Sequence, residues 1–134
     1  MTLKSELISL KNLLESSAYN YKVHFCTPEP PEAHQISITE NQYQRSLFET
    51  NSYTNKRTQV VNFICTFYYS PEQDVLERIE QQSADYNNLE SAINTQNQTE
   101  GFQYVIGDAE KTHDEDSNFH LLMVELKVFY RLDA

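Results

Sequence analysis

The densest group of potential ligands in the chain is His113, Asp114, Glu115 and Asp116, with Asp108 and Glu110 just upstream. Oxygen donors in that number suit a hard cation. A calcium loop of the EF-hand type, however, spaces its acids and needs a central Gly and a terminal Glu. This run has neither that Gly nor that register. Zinc requires imidazoles or thiolates at defined spacing, and His24, His34, His113 and His120 are scattered, none of them paired at helical spacing. The run therefore reads as a hydrated hairpin tip, and no metal site is expected. No Ser stands in a nucleophile elbow. The two glycines, Gly101 and Gly107, exclude a Gly-rich phosphate loop. Cys26 and Cys65 sit in strand-like segments among apolar neighbours, as buried free thiols do. Paired carboxylates need burial to do acid–base work, and the acids of this chain lie in polar runs. No catalytic residue and no cofactor is expected, and the chain is not expected to be an enzyme.

The charge is more informative than any motif. Net charge is -10 over 134 residues. Residues 1 to 71 carry six acidic and six basic side chains, whereas residues 72 to 134 carry fourteen acidic and four basic ones. Such a field repels phosphate backbones and argues against nucleic-acid binding. It fits a basic partner surface, or an assembly in which opposite charges meet. The length suits a single domain over 1–134 with its own core. With nine Tyr and seven Phe, the composition is that of a folded chain rather than a disordered one. No apolar run follows Met1–Glu6 and no stretch reaches membrane-spanning length, so the expectation is a soluble protein made in a reducing cytoplasm with no membrane contact.

The elements that must position these residues follow from periodicity. Leu3, Leu7, Leu10 and Leu14 recur at steps of four and three, which predicts a helix from Thr2 to about Ser17 capped by Thr2 or Ser5. Tyr19 to Cys26 alternates and reads as a strand. Pro28, Pro30 and Pro31 make a stiff crossover, and Gln35 to Glu40 is a short strand with Ile36 and Ile38 inward. Between 41 and 57 the pattern dissolves into a long, mobile loop, of which part can extend the flanking strands into a hairpin. The clearest unit is Thr58 to Ile93. Its strand puts Val61, Phe63, Cys65, Phe67 and Tyr69 on an apolar face and Asn62 and Thr66 on a mixed one. Ser70 then reads as a helix cap, Pro71 as the first helical residue and Gln73 as the capping-box partner. Val75, Leu76, Ile79, Tyr86, Leu89 and Ile93 form the helix's apolar stripe, with Glu77, Glu80, Asp85 and Glu90 outward. Two more strands follow as an antiparallel hairpin around the acidic turn. The predicted fold is α+β: a mostly antiparallel sheet of about four to five strands, with the N-terminal helix and one long central helix packed on one face.

From Thr58 to Leu132 a strand ending F-Y-Y-S-P, an amphipathic helix, a Gly-opened strand, an acidic turn and the final strand F-H-L-L-M-V-E-L-K-V-F-Y-R resemble the tail terminator (tail completion) proteins of long-tailed bacteriophages. The N-terminal helix, the Y-K-V strand and the Pro-bearing connection to Q-I-S-I fit the same plan. Where that family often has Asp-Gly or Asp-Asn before the last strand, this chain has D-E-D-S-N. The resemblance implies a non-enzymatic structural virion protein, assembled in the host bacterial cytoplasm. Such proteins form a ring, commonly a hexamer, that caps the tail tube, ends its polymerisation and joins it to the head connector. The implied partners are the tail tube protein and the head connector protein.

Candidate partner contacts are Arg45, Tyr53, Lys56 and Arg57 in the 41–57 stretch, and Asp114, Glu115 and Asp116 in the acidic turn. Tyr43, Tyr53 and Tyr68 are expected on loop or half-exposed positions, where tyrosine suits interfaces. Two other classes compete. One is a small acidic adaptor or regulator that binds a basic protein through the outward face of the central helix. The other is a small-ligand enzyme with a pocket near Asn62 and Thr66.

Overall fold

Thr2 and Ser5 close a capping box at the start of α1 (Leu3–Glu15). Thr2 Oγ1 accepts from the Ser5 N–H at 3.1 Å, and Ser5 Oγ accepts from the Thr2 N–H at 3.0 Å. Two orphan amide donors of the first turn are satisfied in this way. A computed structural model of the protein describes residues 2–28, 30–41, 47–51, 56–98 and 102–132. After α1 come β1 (Lys22–His24), β2 (Gln35–Glu40), β3 (Leu47–Asn51), β4 (Lys56–Tyr69), α2 (Val75–Gln96), β5 (Phe102–His113) and β6 (His120–Leu132). Among the described residues, no helix is long and apolar enough to cross a membrane.

The fold is α+β, with a mostly antiparallel sheet. Five strands lie side by side in the order β1-β2-β4-β6-β5, and β3 pairs with the beginning of β4. β1 and β2 run parallel, which demands a crossover rather than a tight turn; the proline-bearing connection supplies it. The other pairs are antiparallel. Alternation along β4 and β6 sets the register: Phe63, Cys65 and Phe67 stand opposite Leu126, Val124 and Leu122. That row, with Ile36 and Ile38 of β2, forms the sheet side of the core. Leu10 and Leu14 of α1 and Leu89, Ala92 and Ile93 of α2 cover it. Each such side chain contributes roughly 1.5–3 kcal/mol of burial. β5 carries an irregularity between Ile106 and Ala109. There Gly107 leaves room for its neighbour, since a Cβ would stand 2.9 Å from Glu125 Oε2 and 3.1 Å from Glu125 Cβ.

The structure departs from the sequence expectations at several places. The first strand is three residues long, because Asn20 takes a left-handed conformation just before it (φ 60°). Within 41–57, residues 47–51 and 56–57 are strand, paired from Leu47↔Val60 to Asn51↔Lys56, which is the hairpin extension allowed for that stretch and not a loop throughout; the remainder of 42–55 lies outside the described residues. α2 starts at Val75, not Pro71, and its cap is Asp74, whose Oδ2 accepts from Leu76 N at 3.1 Å and Glu77 N at 3.4 Å. Ser70 instead closes a preceding turn through its carbonyl, which accepts from Gln73 N. Asp85, expected outward, is 4% exposed, and Tyr68 is buried. Cys26, at the end of the short strand, is exposed, while Cys65 is buried in the core as expected. Burial pushes the Cys65 thiol up to about 12, so it is no nucleophile at neutral pH.

Candidate protein interface

The first turns of α2 run beyond the cover of the sheet. Val75, Leu76 and Ile79 belong to the helix's apolar set yet are 55, 72 and 47% exposed. The buried stripe begins only at Gln82 and continues through Asp85, Leu89, Ala92, Ile93 and Gln96. Three large apolar side chains in one helical turn and a half, left in water, are what a partner surface covers.

Beside this patch lies a groove of about 440 Å³, walled by Arg78, Ile79 and Gln82 of α2 and by Lys111, Thr112, His113 and His120 of the β5–β6 hairpin. His113 and His120 are register partners at the hairpin end, and their rings lie 4.8 Å apart, tilted by 51°. Partial burial holds the His120 imidazole below its ordinary value, and the nearby positive charge of Arg78 and His113 adds to the shift. His113 Nε2 lies 2.7 Å from Asn118 Oδ1. The groove gathers two of the four basic residues in the acidic half of the chain.

The acidic turn follows directly. Asp114 organises it: Oδ1 accepts from Asp116 N at 3.3 Å, and Oδ2 accepts from Ser117 Oγ at 2.7 Å. Its main chain exchanges bonds with Phe119 and Asn118, the latter at φ 64°. The hydrogen bond from Ser117, with the backbone N–H groups, holds the Asp114 carboxyl below its ordinary value. Asp114 is thus spent on the turn, while Glu115 and Asp116 are exposed. Among the described residues, no group of three or more His, Cys, Asp or Glu is placed to hold a metal ion.

The other sequence candidates lie elsewhere. Arg45 and Tyr53 fall outside the described residues. Lys56 and Arg57 open β4, opposite Asn51 and Thr50, and Arg57 also pairs with Leu132. Tyr69, at the far end of β4, pairs with His120. The basic and acidic candidates therefore occupy opposite ends of the longest strand, about 40 Å apart at roughly 3.3 Å per residue. Asn62 and Thr66 are buried at the middle of β4, and neither lines the groove. Sequence reasoning missed Arg78, Lys111 and the His113–His120 pair as a group. Extending the β5–β6 register to the hairpin end would have joined the two histidines; no sequence signal placed Arg78 over them. No protein-family model matches the chain, and no curated protein matches it either.

Proposed function

We propose that this protein is a structural virion component that caps the tail tube of a long-tailed bacteriophage, ends its polymerisation and joins it to the head connector, acting as a ring of identical copies. The order of elements from Thr58 to Leu132 supports the family resemblance. The observation that carries the assembly is the separation of charge along β4. Lys56 and Arg57 stand at one end, and the hairpin with Asp114, Glu115 and Asp116 stands beyond the other. They cannot meet within one chain, but a head-to-tail contact between copies brings them together, and such contacts close into a ring when the rotation fits. The exposed Val75, Leu76 and Ile79 supply apolar area next to the acidic end.

Electron microscopy of the protein mixed with tail tubes tests this directly: rings seated on tube ends are expected, and bare tubes that continue to grow would refute it. Replacing Arg45, Lys56 and Arg57 together with Ala should weaken assembly while leaving the monomer folded. Unchanged assembly removes those residues from the interface. A second reading, a small adaptor for a basic protein, draws on the exposure of Glu77, Glu80 and Glu90 on α2. Sedimentation separates the two, since an adaptor gives a stable one-to-one complex and no ring.

A further inference from the structure

A second cavity, of about 430 Å³, opens where β4 passes into α2 and shares no lining residue with the groove described above. Its chemistry is one-sided. Asp85 and Glu72 line it, with His34 and tyrosine, phenylalanine and glutamine side chains, and among the described residues neither lysine nor arginine does. Asp85 is 4% exposed, and among the described residues its hydrogen bonds come from neutral donors. Its Oδ1 accepts from Tyr21 Oη and from Gln81 Nε2 at 2.9 Å, and its Oδ2 accepts from Tyr69 Oη at 2.7 Å. A carboxylate has about four acceptor positions, so these three bonds leave one. Gln35 gives an independent sign. It is also 4% exposed and lines the same cavity. Its Nε2 donates to Glu32 at 3.1 Å, whereas its Oε1 is buried without a partner among the described residues. A buried acceptor left unmet is costly to the fold, and a ligand that donates to it recovers that cost. The wall is aromatic: the Tyr21 ring stacks on His34 at 4.8 Å and meets Phe67 edge-on at 5.7 Å.

A buried acid without a basic partner among the described residues, an unmet carbonyl oxygen and π faces all favour one ligand class. Anions meet Asp85 and Glu72 and are repelled. A neutral apolar ligand leaves Gln35 Oε1 unmet. An organic cation satisfies all three features, through its charge on Asp85, an N–H to Gln35 Oε1 and a cation–π contact with the rings. We propose that this cavity is a binding site for an alkylammonium or alkylguanidinium group, delivered either by a small free amine or by a lysine or arginine side chain of a partner polypeptide. The proposal is independent of the tail-capping reading, because it concerns the free chain and other side chains of α2, Gln81 and Asp85 rather than Arg78, Ile79 and Gln82.

Amide NMR titration of the intact protein tests it, with propylammonium, propylguanidinium and the blocked tripeptides Gly-Lys-Gly and Gly-Arg-Gly as probes, and propanol, acetate and calcium as controls. Saturable shifts at residues 34, 35, 69, 81 and 85 are expected from the organic cations alone, with dissociation constants of about 1 mM or tighter. Tighter binding of the tripeptides assigns the source to a partner side chain, and tighter binding of the small amines assigns it to a free ligand; either supports the site. Gln35→Met, which keeps the volume and removes the acceptor, should weaken the cation about tenfold while the protein stays folded. Asp85→Asn should abolish binding if the variant folds, and Gln35→Met decides the matter if it does not. No saturable shift with any organic cation, an equal response to propanol or calcium, or full affinity in Gln35→Met overturns the proposal.

Discussion

Gln96, on the last turn of α2, donates its Nε2 to Oε1 of Glu6, on the first turn of α1, across 2.7 Å. The hydroxyl of Tyr104 on β5 donates to the same oxygen at 3.2 Å. One carboxylate oxygen thus ties both helices to the edge strand, and Glu6 has no solvent exposure. Charged groups are seldom buried unless they are paired or hydrogen-bonded. Here Oε1 is doubly satisfied, while Oε2 is buried without a partner among the described residues. The arrangement at Asp85 on α2 is related: tyrosine hydroxyls and a glutamine amide again donate to a helix carboxylate.

Glu6→Ala should therefore be among the most damaging single changes. It orphans the Gln96 amide and the Tyr104 hydroxyl and opens a cavity between the helices, a loss of about 2–5 kcal/mol. Glu6→Gln keeps an acceptor for both donors and should cost about 1 kcal/mol. Urea midpoints at unchanged m-value measure the difference. If Glu6→Ala lies within 1 kcal/mol of the parent, the tie is not structural.

The cap of α2 offers a cleaner comparison, because the two candidates are four residues apart in one stretch, Ser70-Pro71-Glu72-Gln73-Asp74. Asp74 accepts from two backbone amides, so Asp74→Ala should cost about 1 kcal/mol. Ser70 Oγ accepts a single bond, from Glu72 N at 3.2 Å in the preceding turn, and Ser70→Ala should cost less than about 0.5 kcal/mol. The reverse order in thermal or urea unfolding would mean that the helix starts at Pro71 after all.

These two cases also mark the boundary of what could be read in advance. Strict alternation made the β4–β6 faces legible, because a slip of one residue would turn Cys65 and Phe67 away from the core. The capping of α1 was legible because Thr2 and Ser5 lie within one turn of each other. Asp85 was not legible: an acid on a helix is usually solvated, and its burial depends on Tyr21, 64 positions earlier. β3 was legible only as a hairpin extension without bounds, because L-F-E-T-N carries no alternation of its own and exists through pairing with β4. The groove depends on where α2 lies over the hairpin, a packing outcome that no local pattern encodes. The choice of Asp74 over Ser70 is of the same kind, since either residue can cap.

Alkaline titration tests the buried phenols. Desolvation raises Tyr21, Tyr69 and Tyr104 far above their ordinary value of 10.0; Asp85 raises the first two further, and Glu6 the third. A raised phenol keeps its proton in the fold after the unfolded chain has lost it. Its contribution is therefore fully present below pH 10 and is lost as pH rises above it. Ultraviolet titration of the native protein should find these three of the nine tyrosines silent until the chain unfolds. Nine tyrosines ionising together near 10 would contradict the burial.

The histidine pair gives the last prediction, at the opposite end of the pH scale. His120 is held below its ordinary 6.5, first by burial and then by Arg78 and His113. A lowered imidazole means that the unfolded chain takes up the proton more readily than the fold does. Stability associated with His120 is thus complete above 6.5 and declines as pH falls through the window beneath it. Arg78→Gln removes one of the two positive neighbours and leaves the burial intact. The His120 midpoint, followed by its ring C–H resonances, should then move upward without reaching the ordinary value. His113→Gln should move it in the same direction, because that ring lies 4.8 Å away. If a partner covers the groove, as the assembly reading requires, the midpoint should fall further on assembly, because covering the ring strips water from its charged form. A midpoint unmoved by Arg78→Gln would place the guanidinium away from His120 and dissolve the groove as a unit.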